Sequence, residues 1–389
     1  MDLTSDNLVK VLVTCARGSA DEPAEIVALV HRSQQSFAAT LFSAWQAEGA
    51  ALNAALLQET DTMRSRVNFY RSVADRLLGT VNGLTTVKGL EVADLYPAGW
   101  VRYMNDIDFV ANDETGLWRA VGLLTGDGWV VDGATFAYIG GSLQVVVSLR
   151  LPHEDRYQFS YGIDIATFYT LGDLCGIRPV LRLPAKWRTP GIKNTLMLLN
   201  ERYEQPFRAR DVLDAALLRE SLRDEEIATL HEAITELNLA PEYSELAGLV
   251  RDAGLGELSS LPGGHLTVAR VRARRLARGA RFFARPVTGA ARHLQRRMLT
   301  GALGRGQAAA WTALGPRLDT ASAVVGGLLA FGLPLDGPAP DVAAAVLHHG
   351  GKRAWMDTPV GRFLLTIGGE VEESAVAELS GQRDPEMSQ

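Results

Sequence analysis

The sequence predicts an α+β protein in which a mixed α/β core is joined by helical regions towards both ends. Three observations carry this. From Ala24 to Leu78 apolar residues recur at three- and four-residue intervals with no proline, the period of amphipathic helices. After Gly83 the pattern shortens to strand-length apolar runs separated by turn residues. Beyond about residue 176 the helical spacing returns. The expected organisation is a helical region over 1–82, a mixed core over 83–175, a helical subdomain over 176–257, an arginine-rich helical segment over 258–318 and a mixed α/β region over 319–389.

Within the core, LTTVKG reads as a short buried strand closed by Gly89, LEVADLY as a helix stopped by Pro97, and DIDFVA as a second strand. DETGLWRAVGLLTGDGW has an acidic start suited to a helix N-terminus. WVVDG, FAYIGG, SLQVVVSLRL and YGIDIATFY follow as β-rich segments with turns between them. GIKNTLMLLNERYEQPFRARDVLDAALLRE and DEEIATLHEAITELNL return to helix, and GRFLLTIGGEV reads as a late strand followed by a turn.

With 389 residues, a formal net charge of −6 and 47% hydrophobic residues, the chain can bury a large core. MDLTSDNLVK carries acids where a signal peptide would be basic, so export is not expected. The apolar run from Ala321 is about fifteen residues, short of the roughly 20 that span a bilayer, and reads as core with no membrane partner. Cys15 and Cys175 are too few for a disulfide framework, no Cys/His spacing points to zinc, and a reducing cytoplasm is the expected compartment. Leu258 to Leu318 contains no Asp or Glu, and the stretch from Arg270 to Arg297 holds ten arginines. Such a block can dock a polyanion or pair with the chain's own acidic surface; the scarcity of interleaved aromatics favours the second. His348 and His349, neighbours on a strand, face opposite sides and do not form a ligand pair. Trp100, Trp129 and Trp355 read as packing residues.

The chemistry concentrates around two carboxylates. Asp106 and Asp108 stand two apart on an apolar strand and therefore point to one face, while Ile107 and Phe109 point to the core. Paired carboxylates repel unless a cation lies between them. Magnesium takes one or two carboxylates together with substrate phosphates, which makes the pair a candidate metal site. Lys88-Gly89, straight after a strand, offers a turn at which backbone can approach a phosphate, and Arg102 could meet a phosphate oxygen. Asp164, on the later apolar strand YGIDIATF, supplies a third carboxylate, and the set has the composition of a two-metal phosphoryl-transfer site.

These residues also carry a resemblance. VKGLEVADLYPAGWVRYMNDIDFVANDETGLWRAVGLLTGDGW resembles an uncharacterised nucleotidyltransferase family of the nucleotidyltransferase superfamily, in its Leu-Lys-Gly-like turn, Tyr-Pro, Arg, and Asp-x-Asp-hydrophobic-Val followed by a helix ending in Gly-aromatic. The likeness is specific over about 45 residues and looser from about 60 to 220. It implies the nucleotidyltransferase-like family fold, a small mixed sheet with flanking helices, and magnesium-dependent transfer of a nucleoside monophosphate from an NTP, with two magnesium ions as cofactor. It further implies Lys88 and Gly89 as the phosphate turn, Asp106 and Asp108 as metal ligands and Asp164 as the third carboxylate. FRARDVLDAAL is similar to an Arg/Lys-Asp-x-x-Asp element of nucleotidyltransferase-like toxins, and on that likeness Arg210 and Asp211 are nucleotide-site candidates. The turn departs from the Gly-Ser common in the superfamily. The acceptor, whether small molecule, peptide or RNA, is not readable. Three rivals stand beside this reading: a toxin-like enzyme acting on RNA or protein, a non-catalytic nucleotide-binding module, and a metal-dependent glycosyltransferase, which would carry a longer α/β domain before its Asp-x-Asp.

Overall fold

Helix starts follow local capping chemistry. Thr4 and Asn7 form a reciprocal capping box at the head of α1 (Ser5–Ala16), and Pro23, which needs no amide partner there, opens α2 (Pro23–Ser33). Next come α3 (Ala38–Ala47) and the 27-residue α4 (Ala54–Thr80), so helices dominate the described residues up to Thr80. The structure, a computed structural model, describes residues 3–139, 141–153, 159–169, 182–202, 205–264, 267–273, 295, 319–350, 353–367 and 376.

The change of period after Gly83 becomes β1 (Leu84–Val87), α5 (Gly89–Ala93) and β2 (Asp106–Ala111). α6 (Glu114–Gly126) follows, its N-terminus capped by the Asp113 carboxylate, which accepts from the Gly116 amide at 2.8 Å. β3 (Val130–Ile139), β4 (Ser142–Leu151) and β5 (Tyr161–Ala166) complete the core. WVVDG and FAYIGG, read from sequence as separate segments, form the single strand β3, whose register shifts between Val131 and Gly133. A glycine inside a strand marks such a bulge rather than a break. Helices α7 (Pro190–Glu201), α8 (Ala209–Ser221), α9 (Asp224–Glu236) and α10 (Ala240–Asp252) follow.

The C-terminal region contributes α11 (Thr320–Val325) and four strands, β6 (Ala330–Leu335), β7 (Val346–Gly350), β8 (Arg353–Thr358) and β9 (Gly361–Thr366). They extend the same sheet, in the order β1-β2-β5-β4-β3-β6-β9-β8-β7, so the fold is α+β with a mixed sheet that has nine strands among the described residues, larger than the small sheet expected. β6 joins β3 through Ala134↔Gly332, and only glycine fits there: an added Cβ would lie 2.7 Å from the Phe136 ring and 3.0 Å from Phe363. Those two rings meet edge to face across the glycine, 5.6 Å between centroids. Pro334 sits past the end of the β3 pairing, where its missing amide costs no ladder bond on that side.

The chain divides into two compact units, one of Met1–Arg76, Thr86–Ile107 and Thr170–Ala277, the other of Leu77–Thr85, Asp108–Tyr169 and Arg278–Gln389. In the first, α8 is the central helix, packed against α1, α7 and α10 and buried along nearly its whole length. In the second, α6 covers β4 and β5, and α11 packs on β3 and β8. The apolar run from Ala321 is core, with Ala321, Ala323, Val324, Leu328, Ala330 and Leu335 buried. Among the described residues no helix is long and apolar enough to cross a membrane. His348 stacks on Trp355 and its Nε2 lies 3.3 Å from Asp357 Oδ2, a packing role. Most of the arginine-rich segment lies outside the described residues; of its described members Val271 and Gln295 are buried while Arg270 and Arg272 are exposed.

Candidate functional site

The Lys88-Gly89 turn is tied to helix α7. Lys88 holds a left-handed backbone, φ 55° and ψ −130°, unusual for a residue with a side chain, and Gly89 follows at φ 32°. Gly89 is buried, and a Cβ there would come 3.2 Å from Met104 Cε. Helix α7 grips the turn. The Lys88 amide donates to Asn194 Oδ1 at 2.7 Å, and the Lys88 ammonium pairs with Glu201 Oε1 at 2.7 Å. Asn194, Leu198 and Glu201, spaced i, i+4 and i+7, lie along one face of the helix. Because a backbone amide can only donate, Asn194 must present its oxygen to Lys88 and its NH2 to Glu91 Oε2, which accepts at 2.8 Å. Glu91 Oε1 in turn accepts from Lys193 Nζ at 2.8 Å and from the Thr86 hydroxyl at 2.9 Å, and Lys193 also donates to the Thr86 carbonyl at 2.7 Å.

Beside the turn lies a pocket bordered by Lys88, Arg102, Asn194, Glu201, Asp211 and Asp214, with Val92, Leu198 and Leu218 as its apolar wall. Arg102 and Asp214 form a forked pair, Nη2 to Oδ2 at 2.6 Å and Nε to Oδ1 at 3.1 Å, and the Tyr96 hydroxyl donates to Asp214 Oδ1 at 2.7 Å. Arg210 Nη2 lies 3.4 Å from Asp211 Oδ1 and 3.9 Å from Glu201 Oε2. Three cations, Lys88, Arg102 and Arg210, thus face three carboxylates, Glu201, Asp211 and Asp214.

Burial and charge pull these groups in different directions. Burial pushes the Arg102 guanidinium down, but the Asp214 carboxylate outweighs it and holds it above its ordinary value. Burial raises Glu201, yet the Lys88 ammonium and then Arg210 bring it below the usual glutamate range. Asp211 goes the other way: burial lifts it to about 6, with Arg210 opposing and Glu201 reinforcing. Burial, with Asp214 adding to it, pushes the Tyr96 phenol well up. The sequence pointed to Lys88, Gly89, Arg102, Arg210 and Asp211 but not to Asn194, Glu201, Lys193 or Glu91, and it marked Tyr96 only as part of a Tyr-Pro pair. Lys193 and Asn194 interrupt the otherwise apolar run GIKNTLMLL, and Asp214 is the last residue of the Arg-Asp-x-x-Asp element; those were the available signals.

The strand carboxylates are placed as follows. Asp106 is exposed and Asp108 half-buried at the start of β2, alternating with the buried Ile107 and Phe109. Asp164 is half-buried on β5, the neighbour of β2, where it pairs with Ser148 of β4 and alternates with the buried Ile163 and Ile165. Val147 and Leu149, opposite Ile165 and Ile163, are buried too, so Asp164 points away from that apolar face. Among the described residues no group of three or more His, Cys, Asp or Glu side chains is placed to hold a metal ion. Asp106 and Asp108 have the donor chemistry for magnesium, which is satisfied by two carboxylates when phosphate oxygens complete its shell; a three-carboxylate metal cluster is not assembled among the described residues. Comparison with protein-family models, curated proteins and solved structures finds no match to the chain.

Proposed function

We propose that the protein transfers a nucleoside monophosphate from a nucleoside triphosphate to an acceptor, with release of pyrophosphate. The observation that supports this reading is the Asp106/Asp108 pair at the start of β2, a strand next in the sheet to β1, which ends in the left-handed Lys88-Gly89 turn. Bound magnesium would neutralise the carboxylate pair and polarise the phosphates. Asp106 and Asp108 would hold it, their mutual repulsion relieved by the ion. An acceptor oxygen would form the new bond to the α-phosphorus as the bond to the pyrophosphate oxygen breaks, pyrophosphate leaving with the electron pair. Asp164, a half-buried acid on the neighbouring strand, would orient the acceptor and take its proton. Lys88 is the cation of the pocket with most access to solvent, 22% against 6% for Arg102 and 17% for Arg210, and is therefore the one assigned to a phosphate oxygen. Arg102, held on both sides of its fork by Asp214, acts through the shape of the pocket.

A panel of nucleoside triphosphates with magnesium, read by pyrophosphate release and by the mass gained by added hydroxyl, peptide and RNA acceptors, tests the reading. Asp106→Asn and Asp108→Asn should each abolish release while leaving the far-ultraviolet dichroism unchanged. Full magnesium-dependent turnover in Asp108→Asn would sink it, as would a wild-type protein that binds no nucleoside triphosphate.

A further inference from the structure

The turn that presents Lys88 is held both locally, where the Lys88 carbonyl accepts from the Glu91 amide at 3.0 Å, and from a distant helix. The hydrogen bond from its amide to Asn194 spans 106 residues, and the ties from Lys193 and Glu201 come from the same helix, α7. Lys193 fixes the strand that enters the turn, through the Thr86 carbonyl, and the helix that leaves it, through Glu91. Asn194 fixes the turn itself and is locked by Glu91 in the only orientation that can accept from Lys88. Lys193 and Asn194 are 2% and 1% exposed, so their polar groups are set for these partners and not for solvent. A left-handed conformation at a residue with a side chain persists only where its surroundings over-determine it. Here one amide oxygen and one carboxylate on α7 reach the backbone and the ammonium of the same residue, beside the Glu91 amide that donates to its carbonyl.

We propose that Asn194 is a positioning residue: it holds Lys88 in its left-handed conformation so that the Lys88 ammonium meets the triphosphate. The inference rests on the nucleotidyl-transfer reading and extends it to a residue whose side-chain amide is engaged by the Lys88 amide and Glu91. Asn194→Ala removes the acceptor for the Lys88 amide. Asn194→Asp keeps that acceptor but sets a second carboxylate against Glu91, where the amide NH2 had donated. Asn194→Asp combined with Glu91→Gln restores the contact with its polarity reversed: the new side-chain amide at position 91 donates to the new carboxylate at position 194, and its oxygen still accepts from Lys193 and Thr86.

The test measures KM and kcat for the triphosphate, with magnesium, on the folded full chain of wild type and the three variants, beside the melting temperature of each. The expected result is a rise of about tenfold in KM for each single variant, the size that the loss of one hydrogen bond gives, with kcat changed much less. The double variant should return KM to within about threefold of wild type. A purely structural role predicts lower melting temperatures with KM unmoved in the folded protein; that result, or a double variant no better than Asn194→Asp, overturns the inference while leaving the transfer reading intact. A wild type that neither binds nor turns over a triphosphate overturns both.

Discussion

Replacing Asp214 with alanine isolates the Arg102 guanidinium in the interior of the first unit. The pair is 6% and 3% exposed at its two side chains, and the lost carboxylate oxygens accept at 2.6, 3.1 and 3.2 Å from Arg102 and at 2.7 Å from the Tyr96 hydroxyl. Removing one partner of a buried ion pair costs about 3–5 kcal/mol, because the remaining charge is left without compensation. The orphaned Tyr96 hydroxyl adds about 1–3 kcal/mol if it stays dry. These losses share one acceptor and do not add fully, so the expected destabilisation is about 4 kcal/mol. Asp214→Asn, which keeps an acceptor for Tyr96 and removes the charge, should lose less. The triple replacement of Arg102 by Met, Asp214 by Leu and Tyr96 by Phe takes away the charges and the hydroxyl together and should lie within about 1–2 kcal/mol of wild type. Because the chain forms two units, native-state hydrogen exchange at the α8 amides is the suitable assay, since it reads that unit by itself. A loss below about 1 kcal/mol in Asp214→Ala, or a triple replacement as unstable as the single one, would refute the reasoning.

Two further outcomes follow from the same geometry. The pKa of Asp211 is raised from 3.8 to about 6, chiefly by burial, so the unfolded chain releases this proton at lower pH than the fold does; the group's contribution to stability is complete below about pH 4 and lost as pH rises through about 6. Glu201, held low by Lys88 and Arg210 against its burial, contributes in the opposite sense, with stability that is present above its ordinary value of 4.5 and lost as pH falls. Asp211→Asn removes the first effect, so its stability relative to wild type should be better at pH 7 than at pH 4 by roughly 2–3 kcal/mol, and parallel urea-denaturation profiles across that range would count against it. In the second unit, Gly332→Ala should destabilise by about 1–3 kcal/mol, since its Cβ would sit 2.7 Å from the Phe136 ring, and pairing it with Phe136→Leu should recover part of the loss in thermal denaturation.

The elements of this protein were legible wherever their determinants are local. The 3.6-residue period between Ala24 and Leu78, the glycine-closed run LTTVKG and the acidic head of α6 each act within a few residues, and each produced the expected element. The bulge in β3 was misread as a gap because a single glycine has the same appearance in a turn and in an irregular strand. The turn at Lys88 and Gly89 is legible because a strand followed by glycine is a local signal, and the shared face of Asp106 and Asp108 because a two-residue spacing on a strand fixes it.

What the sequence determined by itself is therefore the order and kind of most elements and the residue types gathered at the ends of β1 and β2. Only the tertiary structure decided the partners: Asn194 for the Lys88 amide across 106 residues, Asp214 for Arg102 across 112, and Gly332 for Ala134 in the pairing that carries the sheet on through β6 to β9. Hydrophobic period and turn chemistry act between residues a few positions apart. The choice among many distant donors and acceptors depends instead on which buried polar groups find a partner once the apolar faces have closed, and no spacing along the chain records that choice.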